Sequence, residues 1–554
     1  MIGMSAEKKV GIIVGEASTD LFYFASRKDD YPPKWEYLMV PAREVVEGEE
    51  KDVQVLAQVE RVVSASQILS REVDFEAITR ILQAQVEDLR TWGQARILGY
   101  ISFDPQTGQR KVLLPRRAVV PGRPVFVAPI SLLEEFYSAI GDDGLYVGRL
   151  ISRSDVPVYI SASGFRRHVA IIAQTGAGKS YCGGVLMEEL LEHGATLVTI
   201  DPHADYVFLS RMVTTKGEVK HPLSDRITVF RNPLSTGRYS EKDLVNIQSF
   251  EVAFQDLDSF EICDITGIPE KFTRLQEAVR IAVDNLSSTG KRYTPQDLFN
   301  QLDKLSRDEQ QESDIRRGAR SATRRIRRLL GLRIFGAATT PLSLLLKPMH
   351  VSVVDLSGLN DRSMDYVVYR ILSDLYDLKA GRIEQGDLTE FRYPIYVLLE
   401  ESHKFIPRDG ATLASDVINK IAAEGRKFGL FLTLITQRPS KVHPDTLSQC
   451  NSQIVMKLTN PEDQDAVRKS SERMSHELIG DLPGLNIGEA VIVGEVTPAP
   501  VMVKVRPRKT REGGSDIQVS DLLREARQTL RPSMSTLPEG PLTDEDARKL
   551  LQED

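Results

Sequence analysis

Cysteine is scarce in this chain. Only Cys182, Cys263 and Cys450 occur among 554 residues, too widely spaced for a metal-binding pattern or a disulfide framework. Each reads as a buried apolar side chain, in keeping with a reducing cytoplasm. Long hydrophobic runs are also missing, and none approaches the ~18–20 residues that a membrane crossing needs. The opening, MIGMSAEKKVGIIVGEAS, has no apolar core of the signal-peptide kind and reads as a strand. Nor is there an excess of positive charge: 71 Lys and Arg face 78 Asp and Glu, for a net charge of −7. That balance excludes a uniformly basic coat for nucleic acid, but not a basic lining confined to a channel. The remaining composition, 41% hydrophobic and 27% charged, is that of a large globular protein of several domains.

Residues 167–206, RHVAIIAQTGAGKSYCGGVLMEELLEHGATLVTIDPHADY, read as strand, tight Gly-rich turn, helix, turn and strand, one βαβ unit. HVAIIA is the continuous apolar run of a parallel strand buried on both faces. Helical periodicity then runs through Tyr181–Leu191, and Gly194 fits a helix C-cap. The turn itself, Ala173-Gln174-Thr175-Gly176-Ala177-Gly178-Lys179-Ser180, matches the phosphate-binding pattern G-x-x-x-x-G-K-[ST], with Ala173 where the first Gly is usual. Small residues let successive backbone N–H groups curl around phosphate oxygens, and the following helix points its positive end at them. Lys179 then reaches the β- and γ-phosphates of ATP, the Ser180 hydroxyl ligates Mg²⁺, and Tyr181 follows in the first helical turn. Ala173 fits because its position needs smallness more than positive φ. The bland alternative is a chance Gly-rich turn.

Asp201 ends the second strand, at the carboxyl edge where open α/β sheets bind ligands. It either orients the Mg²⁺ shell or the attacking water, or does turn chemistry within DPHAD, the reading also given to His203. A second landmark is PIYVLLEESHKF, an apolar strand ending in Glu400 and Glu401. Adjacent acids closing a buried strand fit a Walker B pair, Glu400 serving the Mg²⁺ shell and Glu401 polarising water. Asp is usual in the first place, so the longer Glu400 favours a water-mediated role. SDVINKIAAEGRKFG is a helix ending near Arg426, before the strand LFLTLIT and then Gln437. Arg426 is either a finger to a neighbouring subunit's γ-phosphate or a cation placed by the helix dipole. Thr436 and Gln437 stand where a γ-phosphate sensor would.

The fold class expected is α/β: a RecA-like P-loop ATPase core with an N-terminal β-barrel and an inserted helical subdomain. Residues 1–155 form the barrel, with helices at Phe75–Leu89 and Ile130–Ile140 among short strands. Residues 156–240 begin the core, 241–335 are the helical insertion, 336–506 complete the core, and 507–554 are a basic linker and a tail with helix-like segments. EQGDLTEFR is a polar loop. The last helix of the insertion, DIRRGARSATRRIRRLL, has Arg316, Arg317, Arg320, Arg324, Arg327 and Arg328 within about 120° of the wheel. Ile315, Ala319, Ala322, Ile326, Leu329 and Leu330 fall opposite, within about 100°. The stripe either meets phosphates or, as charge runs usually do, faces solvent and pairs with nearby acids. Lys216 and Lys220 are read only as loop residues.

Taken together, AQTGAGKS, DPHADY, VLLEESHKF, EGRKFG, TQRPS and PGLNIGEAVIVG resemble the archaeal HerA helicase family, within the FtsK/HerA class of P-loop ATPases. The resemblance covers nearly the whole chain and likens its barrel to a HAS barrel. It implies a homohexameric ring with ATP at the subunit interfaces and double-stranded DNA through the centre, bound without regard to sequence. It also implies partnership with a NurA-type nuclease, and with other double-strand-break repair nuclease complexes, in end resection. Carried onto this chain, Lys179 and Ser180 hold phosphate and Mg²⁺, Glu401 activates water beside Glu400, Arg426 is the finger, Gln437 the sensor, and Arg167 touches nucleotide. Two other readings stand beside this one: a conjugation- or secretion-type pump of the same class, and a nucleotide-switched ring scaffold for a nuclease.

Overall fold

The apolar runs build one twelve-stranded sheet. Its order is Ile247–Ser249, Ile227–Arg231, Val351–Asp355, Thr196–Asp201, Ile395–Leu399, Leu430–Thr436, Val169–Ile172, Ser452–Met456, Glu489–Val493, Val501–Val505, Gly144–Leu150 and Pro157–Ser161. From Ile247–Ser249 to Ser452–Met456 every pairing is parallel; beyond that every pairing is antiparallel. The strands Val169–Ile172, Thr196–Asp201 and Ile395–Leu399 are buried at every position, as strands covered on both faces must be. Their side chains alternate between two cores. Ala170, Ile172, Val198, Ile200 and Val397 pack on one face, and Val169, Ile171, Leu197 and Leu398 on the other. Between the two strands of the βαβ unit the sheet interposes Ile395–Leu399 and Leu430–Thr436, a crossover that sequence proximity does not reveal.

The computed structural model describes residues 8–534 except 47, 85–87, 105, 107, 109, 139–142, 234–238, 333, 383–390 and 514–518. Most of the polar loop EQGDLTEFR and all of the helix-like segment 543–554 therefore lie outside the described residues.

The N-terminal strands Lys9–Ala17, Leu21–Ser26, Tyr37–Val46, Glu49–Ala65, Arg90–Phe103 and Pro124–Val127 close into a barrel. Closure comes from pairing Leu21–Ser26 with Arg90–Phe103. Its interior is filled by Phe22, Phe24, Leu38, Val55, Val59 and Val125, and Gly93 is glycine because the Phe24 ring occupies the space a Cβ would need. Gly144–Leu150, which the sequence groups with the barrel, pairs instead with Val501–Val505 and extends the ATPase sheet.

The insertion carries four helices, Ser259–Thr266, Thr273–Ser287, Pro295–Arg307 and Ser313–Ile326. Residues 241–258 are not part of that bundle: Ile247–Ser249 adds an edge strand to the main sheet. Capping boxes start two of the helices, Asp258 with Glu261 and Thr294 with Asp297. Along Ser313–Ile326 the buried side is Gly318, Ala319, Ala322 and Ile326, continued by Leu329. Leu330, expected on that side, is 42% exposed, because a 3₁₀ turn at Leu329–Gly331 ends the 100° periodicity.

The basic stretch after Val501–Val505, read as a linker from residue 507, packs onto the helix Lys179–Glu192. Arg506 donates to Glu188 at 2.9 Å and to Glu189 at 2.7 Å, and all three are buried. Glu188 also accepts from the backbone N–H of Thr510 at 2.8 Å. Met1–Glu512 form one compact unit and Gly513–Asp554 a second, in which the helix Val519–Met534 lies among the described residues. Replacing Arg506 by Met keeps the stem but removes the nearest cation from two buried carboxylates, leaving Glu188 with Arg508 at 4.0 Å and Glu189 with Lys509 at 3.9 Å. We expect a loss of about 3–5 kcal/mol of stability, read as a lower denaturant midpoint; an unchanged midpoint would show that Lys509 and Thr510 suffice.

Candidate active site

At the carboxyl edge of the sheet, neighbouring strands hold the chain that leaves Val169–Ile172 on both sides. Ala173 N–H donates to the Thr436 carbonyl at 3.2 Å and Gln174 N–H to that of Lys457 at 3.0 Å. Ala173 is fully buried, which explains the need for a small side chain there. Gly176 and Gly178 take φ values of 77° and 101°, a region that disfavours a Cβ. Gly178 is the N-cap of the helix Lys179–Glu192, and no side chain caps that end. Its first N–H groups and positive dipole end therefore face outward together.

From that helix Lys179 reaches the end of Ile395–Leu399. Its Nζ donates to Glu400 and, at 3.2 Å, to Glu401 Oε1. Both carboxylates are buried, and Glu401 sits in the left-handed region at φ 50°, a conformation costly for a residue with a Cβ. Ser180 Oγ lies 2.7 Å from Asp205 Oδ2 and 3.0 Å from Glu400 Oε1, so its one proton serves one of them at a time. Tyr206 OH donates to Glu400 Oε2 at 3.4 Å. His403 Nδ1 lies 3.2 Å from Glu401 Oε2 and 3.3 Å from Thr436 Oγ1. The first of these contacts lacks hydrogen-bond alignment, which leaves Glu401 Oε2 a buried acceptor with no hydrogen-bond partner among the described residues.

Burial disfavours the Lys179 ammonium, but Glu400 and Glu401 outweigh it, so its pKa is raised and the charge is kept. Burial also raises Glu400 above the usual carboxylate range, with Lys179 pulling it back. The His403 imidazole is pushed down by burial and is neutral at pH 7. A single ammonium thus faces Glu400 and Glu401 beside an uncapped helix N-terminus. This fits a polyanion carrying a divalent cation: Mg²⁺ takes one or two protein ligands plus phosphate oxygens, and the Ser180 hydroxyl lies between Asp205 and Glu400.

The structure gathers most of the expected residues here and separates others. Gln437, at the end of Leu430–Thr436, accepts a hydrogen bond from Thr175 Oγ1, and the Gln174 side chain accepts from Thr459 at 2.9 Å. Tyr181 OH accepts from the Arg508 backbone N–H at 2.6 Å, pointing to the C-terminal stretch. Asp201 does turn chemistry: its carboxylate accepts from the N–H groups of His203, Asp205 and Tyr206 at 3.3, 3.0 and 2.9 Å. It is Asp205, four residues on, that reaches Ser180. Arg167 precedes the strand Val169–Ile172 and pairs with Glu495 at 2.7 Å. A four-residue strand of about 13 Å separates it from the P-loop of its own chain. Arg426 is exposed near the end of the helix Leu413–Phe428, before Leu430–Thr436 begins. It stands one strand length, about 20 Å, from Gln437. Sequence reasoning missed Asp205, Tyr206 and His403; the signal for the first two was an Asp opening a Pro-containing turn, which folds the following residues back over the strand end.

Residues 145–375 match the family model "Helicase HerA, central domain". The DNA double-strand break repair helicase HerA of Pyrococcus furiosus is 30% identical, over 93% of this chain and 96% of that protein. The protein of the same name from Sulfolobus acidocaldarius is 26% identical, over 86% and 90%. Among solved structures, the bacterial conjugative coupling protein TrwB aligns with 71% of this chain and 94% of its own, at 13% identity and a TM-score of 0.46. VirB4 of Thermoanaerobacter pseudethanolicus aligns with 66% and 96%, at 13% identity and a TM-score of 0.42. The similarity to the P. furiosus protein spans nearly the whole of both chains, and on it this chain belongs to the HerA helicase family of P-loop ATPases.

Proposed function

We propose that the protein is an ATP-driven translocase on double-stranded DNA that acts in double-strand-break repair. In this reading it works as a homohexameric ring with a NurA-type nuclease and other break-repair nuclease complexes. The observation that carries it is the placement of Arg426 at the opposite edge of the sheet from Lys179, Glu400 and Glu401. Within one chain the arginine is about 20 Å from the cleft, whereas a ring stacks one subunit's edge against the next subunit's cleft. The relatives' names, DNA double-strand break repair helicases, support DNA as the substrate.

The backbone N–H groups of residues 175–180 and the Lys179 ammonium hold the β- and γ-phosphates of ATP. Ser180, with Glu400 and Asp205, would hold Mg²⁺, which would supply positive charge against the charge developing on the phosphates. Movement of Lys179 Nζ from Glu401 onto a phosphate oxygen leaves that carboxylate unpaired. Its Oε2, already without a hydrogen-bond partner, then takes a proton from the attacking water. Neutral His403 lies 3.2 Å from this oxygen without engaging it. Gln437 reports the γ-phosphate to the turn at Thr175, and Arg426 of the neighbouring subunit steadies the charge on the transferred group.

Steady-state ATPase rates with and without a long duplex test this. The expected result is stimulation by DNA of any sequence, which fades as salt rises because phosphate contacts release counterions. Rates indifferent to DNA would contradict the reading and favour a pump for another polymer or a nucleotide-switched scaffold.

A further inference from the structure

The arginines of the helix Ser313–Ile326 and of the turn after it divide in two. Arg328 donates to the Thr266 carbonyl at 3.1 Å and Arg325 to that of Gly267, so these two close the C-terminal end of Ser259–Thr266. Arg317, Arg320 and Arg324 are exposed and enter no ion pair among the described residues; Arg327 lies over the Phe299 ring at 5.7 Å. The row from Arg317 to Arg327 is about 15 Å long.

Concavities flank this row on both sides. One, of about 410 Å³, is lined by Arg307, Arg320, Arg324 and Arg327, with Asp303 as its acid; Asp303 is already paired with Arg307 at 2.7 Å. The other, of about 340 Å³, is lined by Lys271, Arg274 and Arg317. There Asp314 pairs with Arg274 at 3.3 Å. Seven cations thus border two acids in a chain whose net charge is −7. The nearby Phe272 ring is covered by Lys271 and Arg325, each 5.7 Å from its centroid, so charge rather than an apolar anchor dominates the face.

We propose that this face of the helical insertion is a second DNA site, outside the ATPase cleft, that grips the phosphates of double-stranded DNA. It rests on the reading that DNA is the substrate. Duplex DNA carries about one negative charge per 1.7 Å of its axis, so a row of about 15 Å faces several phosphates at once. Guanidinium forks suit phosphate oxygens and carry no sequence preference. The insertion would then hold duplex while the sheet edge hydrolyses ATP, adding grip without touching the nucleotide.

The test is fluorescence anisotropy of a fluorescein-labelled duplex of mixed sequence, titrated across salt concentrations. The full chain is compared with the triple variant Arg317→Gln, Arg320→Gln, Arg324→Gln and with the matching triple Lys variant. These residues are exposed and stand apart from the cleft, so ATPase without DNA should not change. The Gln variant should bind about ten-fold more weakly or worse, and its log–log salt slope should fall by about 2–3. The Lys variant should recover most of that slope. If wild type binds with a steep slope and the Gln variant matches it, this site is overturned while the DNA reading stands. If wild type does not bind duplex at all, the DNA reading fails and takes this site with it. Unchanged DNA binding with loss of binding to a polyglutamate peptide would assign the face to an acidic protein and also overturn the proposal.

Discussion

Glu401→Gln is expected to slow ATP hydrolysis about 10²–10⁴-fold while nucleotide affinity stays close to wild type. Gln has the same shape, and Lys179 keeps Glu400 as a partner, so the buried cluster is not left with an unpaired ammonium. What disappears is the Oε2 acceptor, which no hydrogen bond in the fold engages. An amide in its place cannot take the proton from water. Its melting temperature should stay near wild type, which separates lost chemistry from lost structure. Affinity for a fluorescent ATP analogue, measured beside the turnover rate, makes the distinction. A variant that binds poorly would show instead that Glu401 holds the fold of the cleft, a role its φ of 50° also permits.

Arg426→Ala should cost as much or more, about 10³–10⁵-fold in turnover if the arginine acts as a finger. The reason differs. Arg426 is exposed and far from its own cleft, so its removal should leave stability within about 0.5 kcal/mol and nucleotide binding to the P-loop intact. A buried neighbour reports on the same end of the helix. His168, at φ 57°, accepts from Leu432 N–H at 2.9 Å through Nδ1 and contacts the Ala422 carbonyl at 3.1 Å through Nε2. Burial first, then the nearby Arg426, push its pKa down to about 4, so it stays neutral and does not compete for the same anion. Turnover that survives the substitution would reduce Arg426 to a cation favoured by the helix dipole.

How far the chain could be read without its structure depended on whether the chemistry lay in consecutive residues. The P-loop did: its turn needs small residues, Lys and Ser in one order, and Gly176 and Gly178 occupy the left-handed positions that order implies. Glu400 and Glu401 likewise closed an apolar strand, where burial of charge demands a partner, and Lys179 is that partner. Asp205 was hidden because a carboxylate at a strand end can satisfy either a ligand or its own turn. Three backbone N–H groups decided that Asp201 does the second. Residues 507–510 looked like part of a basic linker because Glu188, which accepts from the backbone of Lys509 and Thr510, stands far earlier in the chain. The two strands interposed in the βαβ unit were illegible for the same reason: strand order is a long-range property. Arg167, like Arg426, stands at the edge of the sheet away from its own P-loop, a placement that strand direction alone fixes.

The central claim is that each ATP site is completed by the neighbouring subunit. It is tested most directly by mixing Glu401→Gln and Arg426→Ala proteins, each inactive alone, and measuring ATPase on duplex DNA. In a mixed ring some interfaces pair an intact Glu401 with an intact Arg426 from the next subunit. The account predicts that the mixture recovers part of the wild-type rate. No recovery after verified subunit exchange, or an Arg426→Ala protein that hydrolyses ATP normally alone, would contradict it.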